Sequence, residues 1–242
     1  MTPDGRESTL ARLGAAVDAA IPHELRRAWD EHVAHQPVLV ARQGIYSGHG
    51  RPFAYQFSYR APGHRADVAR GWGARDHERA TQHVLRATFG RADLEGVAHG
   101  RLLFVRCPRA HLVGELEVPA RPDRLVLEVS ATTEVDAPVL SGIRRLRERG
   151  FRIAVPSFVD HPDQRRLLPH ADFVKIDVRD LDVEGHPVVG VARSFGAVLI
   201  AEYVESTRTL RHARDLGIAL FQGNLIERAD VLDRAGARLV GR

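Results

Sequence analysis

The stretch ADFVKIDVRDLDVEGHPVVGVARSFGAVLIAEYV, residues 171–204, holds two apolar runs of strand length separated by a segment of helical length. The runs 171–178 and 197–204 are apolar at nearly every inner position, the pattern of a strand covered on both faces in a parallel sheet. A helix over 183–194 then serves as the crossover that a parallel pair requires. The same alternation extends in both directions. GRLLFVRCP (100–108), DRLVLEVSA (123–131) and FRIAVPSF (151–158) precede this unit and IALFQGNL (218–225) follows it. Helices are expected over 137–149 and 205–216, with a last one near 229–237. Ahead of the series, VLVARQGIYS (38–47) and PFAYQFSYR (52–60) flank the turn-rich GHGR and read as an antiparallel hairpin, and a helix follows over 74–90. Six strands plus the two of the hairpin make eight. The pattern predicts an α/β fold, a TIM-like (β/α)8 barrel whose first strand is antiparallel. An open doubly wound sheet is the alternative, but no GxGxxG turn follows any strand.

Residues 8–35 carry a helical period, with Leu10, Leu13, Val17, Ile21, Leu25 and Trp29 three or four apart. Pro22 interrupts the period and Pro37 ends the segment. The expected division is therefore an N-terminal helical arm at 1–36 and a barrel at 37–242. A content of 44% hydrophobic and 27% charged residues is that of an ordinary globular chain. No run approaches the roughly 18 apolar residues of a membrane span, and MTPDGRESTLARLG lacks the basic-then-apolar order of a secretory signal. A cytoplasmic location without a membrane partner is expected. Cys107 is the only cysteine, which excludes an intrachain disulfide and a cysteine-based zinc cluster. The net charge is only +4 and the arginines are scattered, so nucleic acid is a weak candidate partner. The densest patch, GIRRLRERGFR (142–152), reads as a solvated helix face with Ile143 and Leu146 turned inward. Of 35 basic side chains 34 are arginine; the one lysine, Lys175, is either a chance survivor or kept for chemistry that a guanidinium cannot do.

In a parallel barrel the chemistry lies at the C-terminal strand ends. The polar residues expected there are Gln56, Arg60, Arg106, Glu128, Ser157, Lys175, Asp177, Glu202, Glu205 and Gln222. One such residue alone usually anchors a loop; several converging on one mouth mark a site. At these residues the chain resembles the EAL domain, a bacterial cyclic-di-GMP phosphodiesterase family. FVKID, LIAEYVES and LFQGNL are similar to its Lys-Ile-Asp, Ala-Glu-x-Val-Glu and Phe-Gln-Gly signatures. Residues 40–60 resemble its opening hairpin, with Gln43 at the Gln-Pro-Ile glutamine and 55–60 over the Glu-Ala-Leu-x-Arg segment. The stretch 158–177 is similar to the shorter branch that often carries a modified HD-type output domain. The resemblance covers about residues 37–230, and because the sequence stops just past the barrel, no such output domain is expected.

What the resemblance implies is a site of two divalent metals over a phosphodiester, where metal-bound water attacks and the metals neutralise developing charge. The family's ligand places fall here on Gln56, Arg106, Glu128 and the pair Pro156 and Ser157, so one clear carboxylate is left. Neither Pro156 nor Ser157 replaces an anionic ligand. Arg106 would repel a cation and can instead pair with Glu128, which would consume it. No metal, no cofactor and no catalytic residue is therefore expected, with Glu128, Lys175, Glu202 and Gln222 as remnants of the reaction centre. Three functions stay open. One is a non-catalytic receptor that binds cyclic-di-GMP through Gln43, Gln56, Arg60, Arg106, Asp177 and Glu205. A second is a protein-interaction scaffold, whose partner or second copy would meet the helical arm, the alternative being that the arm's apolar stripe packs on its own barrel. The least favoured is a residual enzyme, a slow phosphodiesterase or a hydrolase using Ser157. Ser157 lies in no GxSxG elbow, and the 13 histidines show no HExxH, although His32 and His35 are three apart.

Overall fold

The computed structural model describes residues 24, 39–60, 74–89, 94–179, 181 and 186–233. The arm expected over 8–35, with His32 and His35, lies outside the described residues apart from Glu24. Within the unit Val38–Arg242, β1 (Leu39–Ser47) and β2 (Pro52–Arg60) form the expected hairpin, paired from Leu39↔Arg60 to Tyr46↔Pro52. From β2 onward the strands are parallel neighbours in chain order: β3 (Leu102–Cys107), β4 (Leu125–Val129), β5 (Arg152–Val155), β6 (Phe173–Asp177), β7 (Val198–Glu202) and β8 (Leu220–Phe221). Closure comes from β8, which meets the end of β1 antiparallel at Tyr46 and Ser47. The result is an eight-stranded barrel with seven parallel strands and an antiparallel first strand.

The last segment departs from the sequence reading. Residues 230–233 form a ninth strand, β9 (Asp230–Asp233), where a helix was expected near 229–237. The physical reason is an open edge. With only two residues, β8 covers one end of β1 and leaves the backbone of Leu39–Arg42 unpaired. β9 takes up that edge antiparallel, from Leu39↔Asp233 to Arg42↔Asp230.

The helices follow local signals. Seven are described: α1 (Ala74–Phe89), α2 (Leu94–Ala98), α3 (Arg109–Val113), α4 (Ala137–Glu148), α5 (Pro162–Leu167), α6 (His186–Arg193) and α7 (Thr207–Asp215). Asp136 caps α4, accepting from Val139 N at 3.0 Å while Arg109 grips the same carboxylate at 2.8 and 2.7 Å. The buried face of α4 is Val139, Gly142, Ile143 and Leu146, one stripe of the helix, and its Arg144 and Arg145 are exposed. Gly142 is obligatory for packing: a Cβ there would come within 1.9 Å of Leu112 O, so α3 and α4 touch backbone to backbone. Ser206 and Thr209 cap α7 reciprocally.

Two apolar layers result. The outer one lies between the strands and the surrounding helices. The inner one is a closed ring with one residue from each barrel strand: Ile45, Ala54, Phe104, Val126, Ala154, Phe173, Ile200 and Leu220. Phe104 and Phe173 meet edge to face at 5.0 Å in its centre. This ring is the floor of the site.

Candidate functional site

Side chains of a strand alternate, so the residue two places beyond each floor position also points inward, one layer nearer the mouth. Stepping toward the mouth from the floor residues of β2 to β8 gives Gln56, Arg106, Glu128, Pro156, Lys175, Glu202 and Gln222. On β1, which runs the other way, the same step gives Gln43. One layer thus gathers most of the residues that the sequence placed at the mouth, and it is polar on every strand except β5.

Lys175 is the hub, 1% exposed, with its ammonium above the Phe104 ring. Its Nζ donates to Gln56 Oε1 at 2.7 Å, Glu202 Oε1 at 2.9 Å and Gln222 Oε1 at 3.1 Å. An ammonium has three protons, and these three acceptors use them. Glu128, 2% exposed, has its Oε2 2.9 Å from Nζ in an ion pair, yet this oxygen has no hydrogen-bond partner. The network continues in one direction. Gln222 Nε2 donates to Gln43 Oε1 at 3.0 Å, and Gln43 Nε2 donates to Glu227 O at 3.0 Å, so each amide's orientation is fixed by the next. Tyr46 donates to the Glu227 carboxylate, and that bond together with burial raises its phenol to about 12.

The electrostatics centre on two opposed effects. Burial pushes the Glu128 carboxyl up, but the charges of Lys175 and Arg106 more than offset it and hold the group below the ordinary carboxylate range. Burial likewise pushes Lys175 down, and Glu128 and Glu202 outweigh it, so the ammonium is held above its usual value. Arg106, the register partner of Glu128, is less committed than the sequence suggested. Its Nε stands 3.6 Å from Glu128 Oε1 and its side chain is 54% exposed. The pair with Glu128 that the sequence allowed is present, but Lys175 is the nearer cation, and Arg106 keeps a half-exposed side chain at the mouth.

The other expected residues are more scattered. Asp177 is bound by its own neighbour, Arg179, which donates from Nε at 2.9 Å, from a terminal nitrogen at 2.6 Å and from its backbone N at 2.9 Å. Glu205 accepts from Asn224 at 3.5 Å. Arg60 is the last residue of β2, and its side chain lies outside the described residues. Pro156 fills the β5 place in the polar layer and is buried. Ser157 takes a left-handed φ of 43°, and the turn is held by Gln164 of α5, whose amide donates to Ser157 O at 3.0 Å and accepts from Val159 N at 2.9 Å. Sequence reasoning missed Gln164, Arg179, Tyr203 and Asn224. Arg179 and Asn224 lie two residues from positions already singled out, which was the available signal.

A two-metal site of the kind the resemblance implies does not fit these residues. Of the places that the resemblance gives to metal ligands, Gln56, Arg106, Pro156 and Ser157 offer no carboxylate, and the one that remains, Glu128, has the Arg106 guanidinium 3.6 Å away. The layer holds two cations and two carboxylates and is balanced without an ion. Among the described residues no group of three or more His, Cys, Asp or Glu side chains could hold a metal.

Comparison with known proteins agrees with this geometry in fold. A family model described as an EAL domain matches residues 110–229. The chain is 24% identical to the uncharacterized protein YuxH of Bacillus subtilis over 77% of its own length and 46% of that protein. It is 25% identical to the cyclic di-GMP phosphodiesterase CdgJ of Vibrio cholerae over 80% of its own length and 44% of that protein. The chain thus spans a little under half the length of these curated relatives. Among solved structures, the YkuI protein of Bacillus subtilis, with an EAL domain and in complex with c-di-GMP and calcium, superposes with a TM-score of 0.62 at 20% identity. That match covers 84% of this chain and 57% of YkuI.

Proposed function

We propose that this chain, which carries an EAL domain over residues 110–229, is a non-catalytic signalling domain that binds cyclic-di-GMP without metals. The observation that carries the reading is the make-up of the polar layer at the places where the resemblance puts metal ligands. Gln56, Arg106 and buried Pro156 stand there and leave Glu128 as the one carboxylate, paired with Lys175 and Arg106. Nothing in that arrangement lowers the pKa of an attacking water, which is the step a metal supplies. The similarity to CdgJ and to YkuI supports cyclic-di-GMP as the ligand. Arg106 is the side chain suited to one of its phosphates, because its planar fork is half exposed and only loosely paired. Gln43 and Gln56 belong to the polar layer below the same mouth.

A second reading is favoured by the charge balance itself. A layer of two cations and two anions offers a dianionic nucleotide no net attraction, and this fits a barrel that serves as a protein-interaction scaffold. The two readings share the absence of catalysis. Incubation of the protein with cyclic-di-GMP and either magnesium or manganese is expected to leave the nucleotide intact by chromatography. Metal-dependent appearance of the linear dinucleotide would overturn both.

A further inference from the structure

The C-terminal ends of β6 and β7 carry an arrangement that the polar layer does not use. Asp177 and Glu202 end these strands as register partners. Beyond them, Arg179 and Tyr203 project to the surface, 61% and 46% exposed, with the guanidinium carbon 3.9 Å from the centre of the tyrosine ring. Neither group is loose. Asp177 grips Arg179 through both side-chain and backbone donors. The backbone around Tyr203 is clamped by Val204 N to Gln222 O at 3.0 Å and Leu225 N to Val204 O at 3.1 Å. Tyr203 also adopts a left-handed φ of 57°, a conformation that favours glycine and is disfavoured for a bulky side chain. A strained, exposed aromatic with a fixed guanidinium over its face is a feature that folding alone does not require.

Its chemistry points to a planar ligand. The charge of Arg179 is matched by Asp177, so the pair presents π surface rather than net charge. Stacking on an aromatic face or on an arginine plane is how proteins hold nucleobases without reading their edges. Position agrees with this. In a ring of eight strands β7 lies four steps from β3, so Tyr203 is across the mouth from Arg106, which suits a ligand that carries bases and phosphates at separate points. We infer that the stacked Arg179 and Tyr203 form a nucleobase platform at the rim of the barrel. The inference rests on the receptor reading above and adds to it the group that holds a base.

The test is calorimetric titration of cyclic-di-GMP, with EDTA present, into the full chain and into Tyr203→Phe, Tyr203→Ala and Tyr203→Gly. The phenylalanine variant keeps the ring and is expected to bind within about 2-fold of the parent, whereas the alanine and glycine variants lose roughly 10- to 100-fold. Glycine relieves the left-handed strain, so Tyr203→Gly is expected to melt no lower than the parent while binding worse, which separates loss of the platform from loss of the fold. If the parent binds and the alanine and glycine variants bind equally well, the platform is wrong and the receptor reading stands. If the parent gives no heat, the receptor reading falls and the platform with it.

Discussion

Lys175→Met is expected to destabilise the protein by about 3–5 kcal/mol at pH 7, because it leaves Glu128 buried beside a carboxylate neighbour with no cation at hydrogen-bonding distance. Methionine keeps an unbranched apolar stem one atom shorter than lysine, so packing above Phe104 changes little and the loss is mainly electrostatic. The pH dependence identifies the cause. In the parent, the depressed Glu128 pKa contributes stability that is present above the ordinary carboxylate value of 4.5 and lost as pH falls through the lower folded value. The raised Lys175 pKa contributes stability that is present below 10.5 and lost as pH rises through the higher folded value. The network therefore contributes fully between about pH 5 and pH 10. In the variant the sign for Glu128 reverses: burial without the ammonium raises its pKa, so protonation relieves the defect. The deficit measured by urea titration should be largest near neutrality and shrink below about pH 5. A deficit constant over that range would mean that the cost is one of packing.

Gly223→Ala is expected to cost about 3 kcal/mol, the upper end for an added methyl in a close-packed site. A Cβ at this position would stand 2.2 Å from Val204 O and 2.3 Å from Val204 N, and backbone cannot swing aside as a side-chain tip can. The two loops it would separate carry Gln222 on one side and Tyr203 on the other. The variant should therefore lose thermal stability and also loosen the link from Lys175 through Gln222 to Gln43. A melt within about 0.5 kcal/mol of the parent would show that the loops after β7 and β8 are free to move apart.

The barrel was legible because its signal is simple. Six inner strands buried on both faces and a turn-rich hairpin leave few other solutions, and period-two alternation carries the floor residues and the polar layer together. Lys175 could be singled out as the one lysine among 35 basic side chains, and its partners followed from strand ends. What the sequence could not supply was competition between partners. Arg106 and Glu128 are adjacent in register, but the preference of Glu128 for Lys175 depends on a side chain reaching across the barrel. β9 was hidden for a related reason: its pairing answers an edge left open by the shortness of β8, and nothing local in residues 230–233 records that. The stack of Arg179 on Tyr203 joins two strand ends 24 positions apart and carries no motif of its own.

The most direct test of a metal-free receptor is the titration of cyclic-di-GMP into the parent and into Arg106→Ala in EDTA. Arg106 is 54% exposed, so its removal should leave the fold intact while deleting the phosphate contact proposed for it. The account predicts micromolar or tighter binding by the parent, weakened about 10-fold or more in the variant, as expected for a lost charge-assisted contact. No heat at high protein concentration, or binding that appears only when magnesium or calcium is restored, would contradict it.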